Sequence, residues 1–238
     1  MSNSYFRFKQ FTVHQDRCAM KVTTDACLFG AVLAEAFRDP IPGTALDIGT
    51  GTGLLGLMLA QQQPAHIDAV EIMEAAARQA GENFSASPWS ERLKVIHTAL
   101  ADHHPSEKYP LIFSNPPFFE NDLRSADAHI NAARHDTGLT LHTLFHWVRQ
   151  HLTDAGHWVV LLPANRIEDA LREAARNGLS LYRRIDVRQT PAHSYFRGIL
   201  FFHPGEKGYV EEEIIIKEHD NQYSERFTAL LKEYYLYL

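Results

Sequence analysis

The stretch LDIGTGTGLLG, residues 46–56, joins a short apolar run to an apolar helical pattern. Its three alternating glycines, Gly49, Gly51 and Gly53, let the backbone turn sharply and let a ligand approach the main chain closely. A strand, a glycine loop and a helix in this order are typical of the ligand-binding edge of a parallel sheet. We therefore take this loop as the first candidate binding site.

Outward from the loop, short apolar runs alternate with helical patterns. Strands are predicted at residues 45–48, 66–71, 93–98, 111–114, 157–162, 181–189 and 196–203, with a further strand at 210–217. Helices are predicted at residues 24–37, 54–62, 73–85, 141–152, 166–177 and 225–235, the first with Thr24 or Asp25 as its N-cap. This alternation predicts an α/β fold, a doubly wound, mostly parallel seven-stranded sheet with helices on both faces.

Length and composition indicate a single globular domain. The 238 residues, 45% of them apolar, suit one domain over residues 1–238. The sequence has neither an apolar run long enough for a membrane helix nor the start of a signal peptide, so we expect a cytoplasmic location. Two cysteines, Cys18 and Cys27, are too few for a disulfide framework or a four-ligand zinc site, and we expect no metal.

The net charge of −6 argues against a nucleic-acid partner, but the basic residues are concentrated. Six basic residues against two acidic ones lie between Arg176 and Gly208, and four against one lie between Arg7 and Lys21. The acidic residues 211–213, all glutamate, lie outside these two basic segments. Affinity for phosphate depends on the field over one face, so the segments indicate either an RNA-binding face or a solvated mixed surface.

The glycine loop fits two kinds of cofactor. Gly51 to Gly56 form a GxGxxG, the dinucleotide fingerprint, and Glu71, at the end of the next strand, suits a ribose in either case. Two features favour S-adenosyl-L-methionine. The run begins at Gly49, which resembles the first motif of class I methyltransferases, and Asp47 suits a methionine ammonium and sulfonium better than a pyrophosphate. A nicotinamide oxidoreductase remains the alternative.

The tetrapeptide Asn115-Pro116-Pro117-Phe118 directly follows the strand predicted at 111–114. Proline fixes φ and cannot continue a ladder, so a rigid loop is predicted at the sheet edge. The Asn115 side-chain carbonyl and the neighbouring backbone carbonyl can accept the two hydrogens of a planar amine. Holding both hydrogens favours a pyramidal nitrogen aligned for attack on a methyl carbon, and Phe118 offers a ring on which a base stacks.

Together with the upstream loop, this tetrapeptide resembles the fourth motif of the N-P-P-[FYW] amino-methyltransferases, class I enzymes with a Rossmann-like fold. That group acts on adenine in DNA or RNA, on guanine in ribosomal RNA, or on the side-chain amide of glutamine in release factors. The stretches FRFKQFTV (6–13), MKVTTD (20–25) and ARH (133–135) add a resemblance to the bacterial valine-tRNA adenine methyltransferase family over most of the chain.

The resemblance implies a tRNA adenine-N6 methyltransferase that uses S-adenosyl-L-methionine and modifies the base 3′ of the anticodon. It implies that the three glycines surround the methionine part of the cofactor, that Glu71 binds the ribose and that residues 115–118 hold adenine. Residues 1–40 would pack over the cofactor site. The further residues implied are Thr24, Asp25 and Asp102 near the cofactor and Lys21, Arg134 and His135 at the tRNA.

Several of these positions also have an ordinary structural reading. Thr24 and Asp25 could act only as helix caps, and Arg134 with His135 could be an exposed pair at the start of a helix.

Two other functions are alternatives to the tRNA methylation that the resemblance implies. Glutamine methylation is typical of chains with Tyr in place of Phe118 and a separate N-terminal helical domain, and this sequence has neither. A catalytically silent RNA-binding scaffold would have a broken glycine loop or tetrapeptide, and both are complete. An anticodon-loop adenine is already unpaired, so a chain without an accessory recognition module suits that target.

Overall fold

A short hairpin and an apolar helix precede the sheet. The computed structural model describes residues 3–116, 139–205 and 208–238. Strands β1 (Tyr5–Arg7) and β2 (Thr12–His14) pair antiparallel, and helix α1 (Thr24–Ala36) follows them.

The prediction of Thr24 or Asp25 as the cap of α1 is wrong. The N-cap is Thr23, whose hydroxyl accepts a hydrogen bond from the Ala26 backbone N–H at 3.4 Å. Thr23 has the extended backbone that a cap requires, whereas Thr24 and Asp25 already belong to the first turn of the helix.

Strands and helices then alternate along the chain. The strands are β3 (Thr44–Ile48), β4 (His66–Glu71), β5 (Leu93–His97), β6 (Tyr109–Ser114), β7 (Leu152–Pro163), β8 (Ser180–Arg188), β9 (Arg197–His203) and β10 (Val210–Ile215). The helices are α2 (Leu54–Gln62), α3 (Glu74–Ser85), α4 (Leu141–His151), α5 (Ile167–Arg176) and α6 (Glu225–Leu231). Within the described residues, no helix is long and apolar enough to cross a membrane.

Eight strands of the described residues form one sheet, in the order β10-β8-β9-β7-β6-β3-β4-β5. Strand β9 runs antiparallel to β7 and β8, and all other neighbours are parallel. The predicted doubly wound, mostly parallel α/β fold is confirmed. The predicted count of seven strands is one too few, because β10 joins the free edge of β8 in parallel register. Strand order reverses between β3 and β6, which is where such sheets bind ligands.

The sheet is covered on both faces. Successive residues of β7 alternate between two apolar cores: Val159 and Leu161 pack on the face that includes α1 and α2, and Trp158 and Val160 pack on the face that includes α4. All four side chains are almost completely buried. A strand segment buried on both sides reads as a continuous apolar run, which is why residues 158–162 of β7 show no polar alternation.

One buried amide joins the N-terminal hairpin to the glycine loop. Asn83 of α3, 1% exposed, accepts a hydrogen bond from the His14 backbone N–H at 2.9 Å. Its Nδ2 donates to the backbone carbonyls of His14 at 2.9 Å and Thr52 at 2.8 Å. Because the carbonyl of Thr52 lies inside the glycine loop, the hairpin and the loop are held against the same helix.

We expect Asn83→Ala to destabilise the fold by about 2–4 kcal/mol, because it leaves buried backbone groups without partners. For a chain of this size, each kcal/mol lowers the melting temperature by roughly 2–4 °C, measured by calorimetry or circular dichroism.

Glu82→Ala on the same helix is the matched control, since Glu82 contacts Arg17 in an exposed ion pair of 2.7 Å. Loss of that pair should cost less than about 1 kcal/mol. Equal melting temperatures for the two variants would contradict the structural role given to Asn83.

Candidate active site

The site lies where the strand order reverses. Ile48, the last residue of β3, pairs in parallel with Ser114, the last residue of β6. The buried Ser114 hydroxyl donates a hydrogen bond of 2.7 Å to the Ile48 backbone carbonyl. Gly49 and Asn115 are the next residues of the two strands, and neighbouring strands lie about 4.8 Å apart. The glycine loop and the Asn-Pro segment therefore begin side by side.

The glycine loop bends across the ends of β3 and β4. Gly49, Gly51 and Gly53 have φ of 70°, 56° and 82°, a left-handed conformation that other residues rarely adopt. The Gly49 and Thr50 N–H groups donate to the Val70 carbonyl at 2.9 and 3.1 Å. A Cβ atom built at Gly49 or Gly51 would meet no heavy atom of the described residues within 4 Å. The loop thus presents open main chain on one side.

Gly53 has a different role from the other two glycines. A Cβ at Gly53 would come within 2.6 Å of the Phe84 ring, so this position allows helix α2 to pack closely on α3. Glycine is therefore required at position 53 both by the backbone conformation and by the packing.

Asp47 is completely buried beneath the loop. Its Oδ2 accepts a hydrogen bond of 2.7 Å from the Thr50 hydroxyl, and its Oδ1 has no hydrogen-bond partner within the described residues. Burial raises the pKa of the carboxyl to about 7, hydrogen bonds from the Thr50 hydroxyl and the Gly56 backbone N–H oppose that shift, and the charge of Glu71 adds to it. A carboxylate in this environment is stabilised by any cation that binds above it.

Glu71 ends β4 and turns its carboxylate toward the same loop. Oε2 accepts from the Gly51 N–H and Oε1 from the Met73 N–H, both at 2.9 Å. A carboxylate offers about four acceptor positions, so two backbone donors leave capacity for hydroxyl groups of a ligand.

Asn115 begins the segment after β6. Its Oδ1 is buried and has no hydrogen-bond partner within the described residues, and Pro116 behind it is also buried. An unpaired buried acceptor costs roughly 1–3 kcal/mol, which a donor from a ligand would offset. Pro117, Phe118, Arg134 and His135 lie outside the described residues.

The N-terminal segment reaches the same edge of the sheet. Asp25 of α1 forms an ion pair of 2.7 Å with Arg197, the first residue of β9. Burial, together with the negative charges of Glu71 and Asp16, raises the pKa of the Cys18 thiol to about 12.

The remaining described residues that were predicted to lie near the site are exposed. Lys21 and Thr24 lie at the surface just before α1 and at its start, and Asp102 ends an exposed turn after β5. Among the hydrogen bonds of the described residues, none joins Asp102 to the glycine loop.

The expectation that the acidic residues 211–213 lie apart from the basic segment is wrong. Because β10 pairs directly with β8, its glutamates lie beside the arginines of that strand. The ion pairs are Arg183–Glu212 at 2.6 Å, Arg184–Asp186 at 2.9 Å and Arg188–Glu213 at 2.9 Å, with Arg176–Glu173 at 2.5 Å nearby. This surface is charge-balanced rather than basic, and Lys207 lies outside the described residues.

Two residues of the site could not be recognised from the sequence. Ser114 reads as the last residue of a strand, and Asn83 as one polar residue of an amphipathic helix. The only signal for Ser114 is a small hydroxyl at the end of an otherwise apolar run. No local pattern distinguishes Asn83 from a solvent-exposed asparagine.

Comparison with known proteins agrees with this geometry. The family model of the methyltransferase small domain matches residues 29–179. The tRNA1(Val) (adenine(37)-N6)-methyltransferase of Bacteroides thetaiotaomicron is 38% identical, covering 100% of both chains. The protein of that name from Klebsiella pneumoniae subsp. pneumoniae is 41% identical, covering 98% of this chain and 95% of the relative.

Solved structures share the fold at low sequence identity. A predicted O-methyltransferase from Agrobacterium tumefaciens matches with a TM-score of 0.63 at 14% identity, covering 87% of this chain and 95% of the other. The ribosomal protein L11 methylase from Lactobacillus delbrueckii subsp. bulgaricus matches with a TM-score of 0.57 at 18% identity, covering 82% and 84%.

These structures confirm the class I methyltransferase fold. The resemblance to the valine-tRNA adenine methyltransferase family is confirmed by the relatives, which match over 98% or more of this chain; the comparisons do not test the Asn-Pro-Pro-Phe motif itself. The chain belongs to the tRNA1(Val) (adenine(37)-N6)-methyltransferase family of methyltransferases.

Proposed function

We propose that this chain transfers a methyl group from S-adenosyl-L-methionine to the exocyclic amine of an adenine in tRNA, the base 3′ of the anticodon in valine tRNA. The observation that carries the proposal is the buried Oδ1 of Asn115, which lies beside the start of the glycine loop and has no hydrogen-bond partner among the described residues. The substrate in this proposal is the one named for the two relatives, which match over 95% or more of their own length.

The residues of the loop fit this cofactor. Gly49 and Gly51 face open space that a Cβ would fill, and Glu71 has free acceptor capacity for ribose hydroxyls. The Asp47 carboxyl, whose Oδ1 has no hydrogen-bond partner among the described residues, places a negative charge beneath the position where the methionine part would lie. The cofactor, when bound, supplies a methyl group on a positively charged sulfur.

Asn115 would act on the target amine. Its Oδ1 accepts one amine hydrogen, and the carbonyl of the adjacent backbone accepts the other, which favours a pyramidal nitrogen with an available lone pair. Ser114 fixes where Asn115 starts relative to the loop, so the nitrogen is positioned rather than deprotonated in advance. The proton leaves after the methyl group has been transferred, and no general base with a shifted pKa is required. Pro117 and Phe118 would complete this loop.

The proposed substrate suits the size of the chain. A base must leave its stack to enter such a site, at a cost of a few kcal/mol that is smallest for an unpaired base. The relatives named for adenine 37 match this chain over 95% or more of their own length, so they carry out that reaction with a chain of similar extent. Action on tRNA would place the enzyme in the cytoplasm. The N-terminal element, residues 1–40, would cover the cofactor.

We expect Asn115→Ala to lower the rate of tRNA methylation at least about 100-fold, because it removes an acceptor used in the transition state. Asn115→Asp keeps an oxygen acceptor and should retain more activity than Asn115→Ala. The measurement is mass spectrometry of nucleosides from an in vitro transcribed valine tRNA after incubation with enzyme and cofactor.

Calorimetry with S-adenosylmethionine serves as the control for Asn115→Ala. Cofactor affinity should stay within about threefold of the wild type, since the change lies on the substrate side of the site. Methyl label that appears in protein but not in tRNA, or full activity in Asn115→Ala, would reject the proposal.

The raised pKa of Asp47 predicts a pH dependence of cofactor binding. A folded-state pKa of about 7 against an ordinary 3.8 means that the free enzyme is partly protonated at Asp47 near neutral pH. This protonation contributes stability that is complete below the ordinary pKa and is lost as pH rises through 7. A bound cation favours the carboxylate, so affinity should rise about tenfold between pH 6 and pH 8.

Titration calorimetry at pH 6, 7 and 8, at constant ionic strength, measures this dependence. Asp47→Asn should bind more weakly at pH 8 and should lose the tenfold change. The cofactor's own amino group titrates equally in both experiments, so the ratio of the two affinities isolates Asp47. A ratio that stays constant with pH would contradict the role given to Asp47.

A further inference from the structure

The connection between β8 and β9, residues 189–196, lies at the same edge of the sheet as Asn115. Arg197, the first residue of β9, pairs with Val187 near the end of β8 and with Pro163 at the end of β7. Since β6 and β7 are parallel neighbours, the ends of β6, β7 and β8 share one edge with the start of β9. The connection therefore lies beside the proposed substrate side of the site.

Backbone hydrogen bonds fix this connection to the strand next to Asn115. The Phe196 N–H donates to the Val187 carbonyl at 3.0 Å, and the Ala164 N–H donates to the Phe196 carbonyl at 3.1 Å. Three strand intervals separate β6 from β8, about 14 Å across the sheet at the usual spacing, and the register places Val187 two residues, about 7 Å, beyond the level of Asn115. A nucleotide near the one held at Asn115 would reach this connection.

Tyr195 in the connection is exposed and yet held in place. Its hydroxyl donates to Glu213 Oε2 at 2.5 Å, and the guanidinium carbon of Arg188 lies 5.6 Å from the centroid of its ring. Arg188 is fixed in turn by Glu213 Oε1 and by the Pro191 carbonyl, both at 2.9 Å. The tyrosine residue remains 44% exposed.

A ring fixed in this way loses little conformational freedom when another ring stacks on it. Glu213 neutralises the guanidinium of Arg188, so the surface formed by Tyr195 and Arg188 favours the flat face of a base over a phosphate. Stacking on an aromatic ring tolerates any base, since every base has a π-face.

We propose that Tyr195, backed by Arg188, is a stacking surface for an unpaired base of the tRNA anticodon loop close to the methylated adenine. This inference rests on the proposed function and adds a substrate-binding residue to it. Tyr195 contributes to RNA binding and not to the chemistry at the amine, so its loss acts on KM for tRNA.

Tyr209 provides a matched control at another part of the sheet. It is 51% exposed, and its hydroxyl also donates to a glutamate, Glu211, at 3.2 Å. Val210, the residue after Tyr209, pairs with Arg183, five residues before Arg188. Tyr209 therefore lies six residues along the strand direction from the level of Arg188, roughly 20 Å at about 3.3 Å per residue, and so is far from the connection that carries Tyr195.

The experiment is steady-state methylation of an anticodon stem-loop of valine tRNA by the full chain. Tyr195→Ala should raise KM for this RNA about 5- to 100-fold, the range given by the stacking of a base on an aromatic side chain, with kcat changed less than about threefold. Tyr195→Phe and Tyr209→Ala should stay within about threefold of the wild type. Calorimetric affinity for S-adenosylmethionine should not change in any of the three variants.

A series of stem-loops, each with one abasic nucleotide in the loop, locates the partner base. Removal of that base should itself raise KM, and Tyr195→Ala should then have no additional effect. Additive effects at every loop position would overturn the inference. So would a wild-type KM for Tyr195→Ala, or a loss in Tyr195→Phe as large as in Tyr195→Ala.

The proposed function and this inference fail in different ways. A wild-type chain that does not methylate tRNA rejects the proposed function. A wild-type chain that methylates tRNA while Tyr195→Ala keeps its KM rejects the stacking surface alone.

Discussion

The hydrogen bond from the Ser114 hydroxyl to the Ile48 carbonyl joins the two central strands at the point where both end. The junction fixes where the segments that follow β3 and β6 begin. The glycine loop leaves from β3 and the Asn115 segment from β6, and each turns at once because glycine or proline occupies the next positions. The distance between the methyl donor and the amine acceptor in the proposed reaction is therefore set by the spacing of two strands in a rigid sheet.

Buried acceptors are concentrated around this junction. Asp47 and Asn115 each keep a buried oxygen without a partner in the described part of the chain, and the charge of Glu71 raises the pKa of Asp47 further. Such groups lower stability in the free protein. A cationic cofactor over Asp47 and an amine at Asn115 would satisfy them, so the cost in the free protein and the proposed affinity have the same physical origin.

The rest of the chain holds the edge of the site with polar contacts to backbone groups and with ion pairs. Asn83 connects the hairpin to the glycine loop, and Asp25 connects α1 to the start of β9 through Arg197. Along β8, the arginines are balanced by the glutamates of β10. The surface available to RNA on that side thus depends more on the geometry of residues such as Tyr195 than on net positive charge.

Local sequence patterns were enough to predict the alternation of strands and helices, the glycine loop, the acid at the end of β4 and the Asn-Pro segment after β6. These follow from local rules, since apolar periodicity, glycine conformation and proline geometry act over a few residues. The folded chain was needed to find the cap at Thr23, the addition of β10 to the sheet, the pairing of its glutamates with the arginines of β8, and the contacts of Ser114 and Asn83. Those depend on residues distant in sequence, and a polar side chain carries no local sign of the backbone group that it will meet.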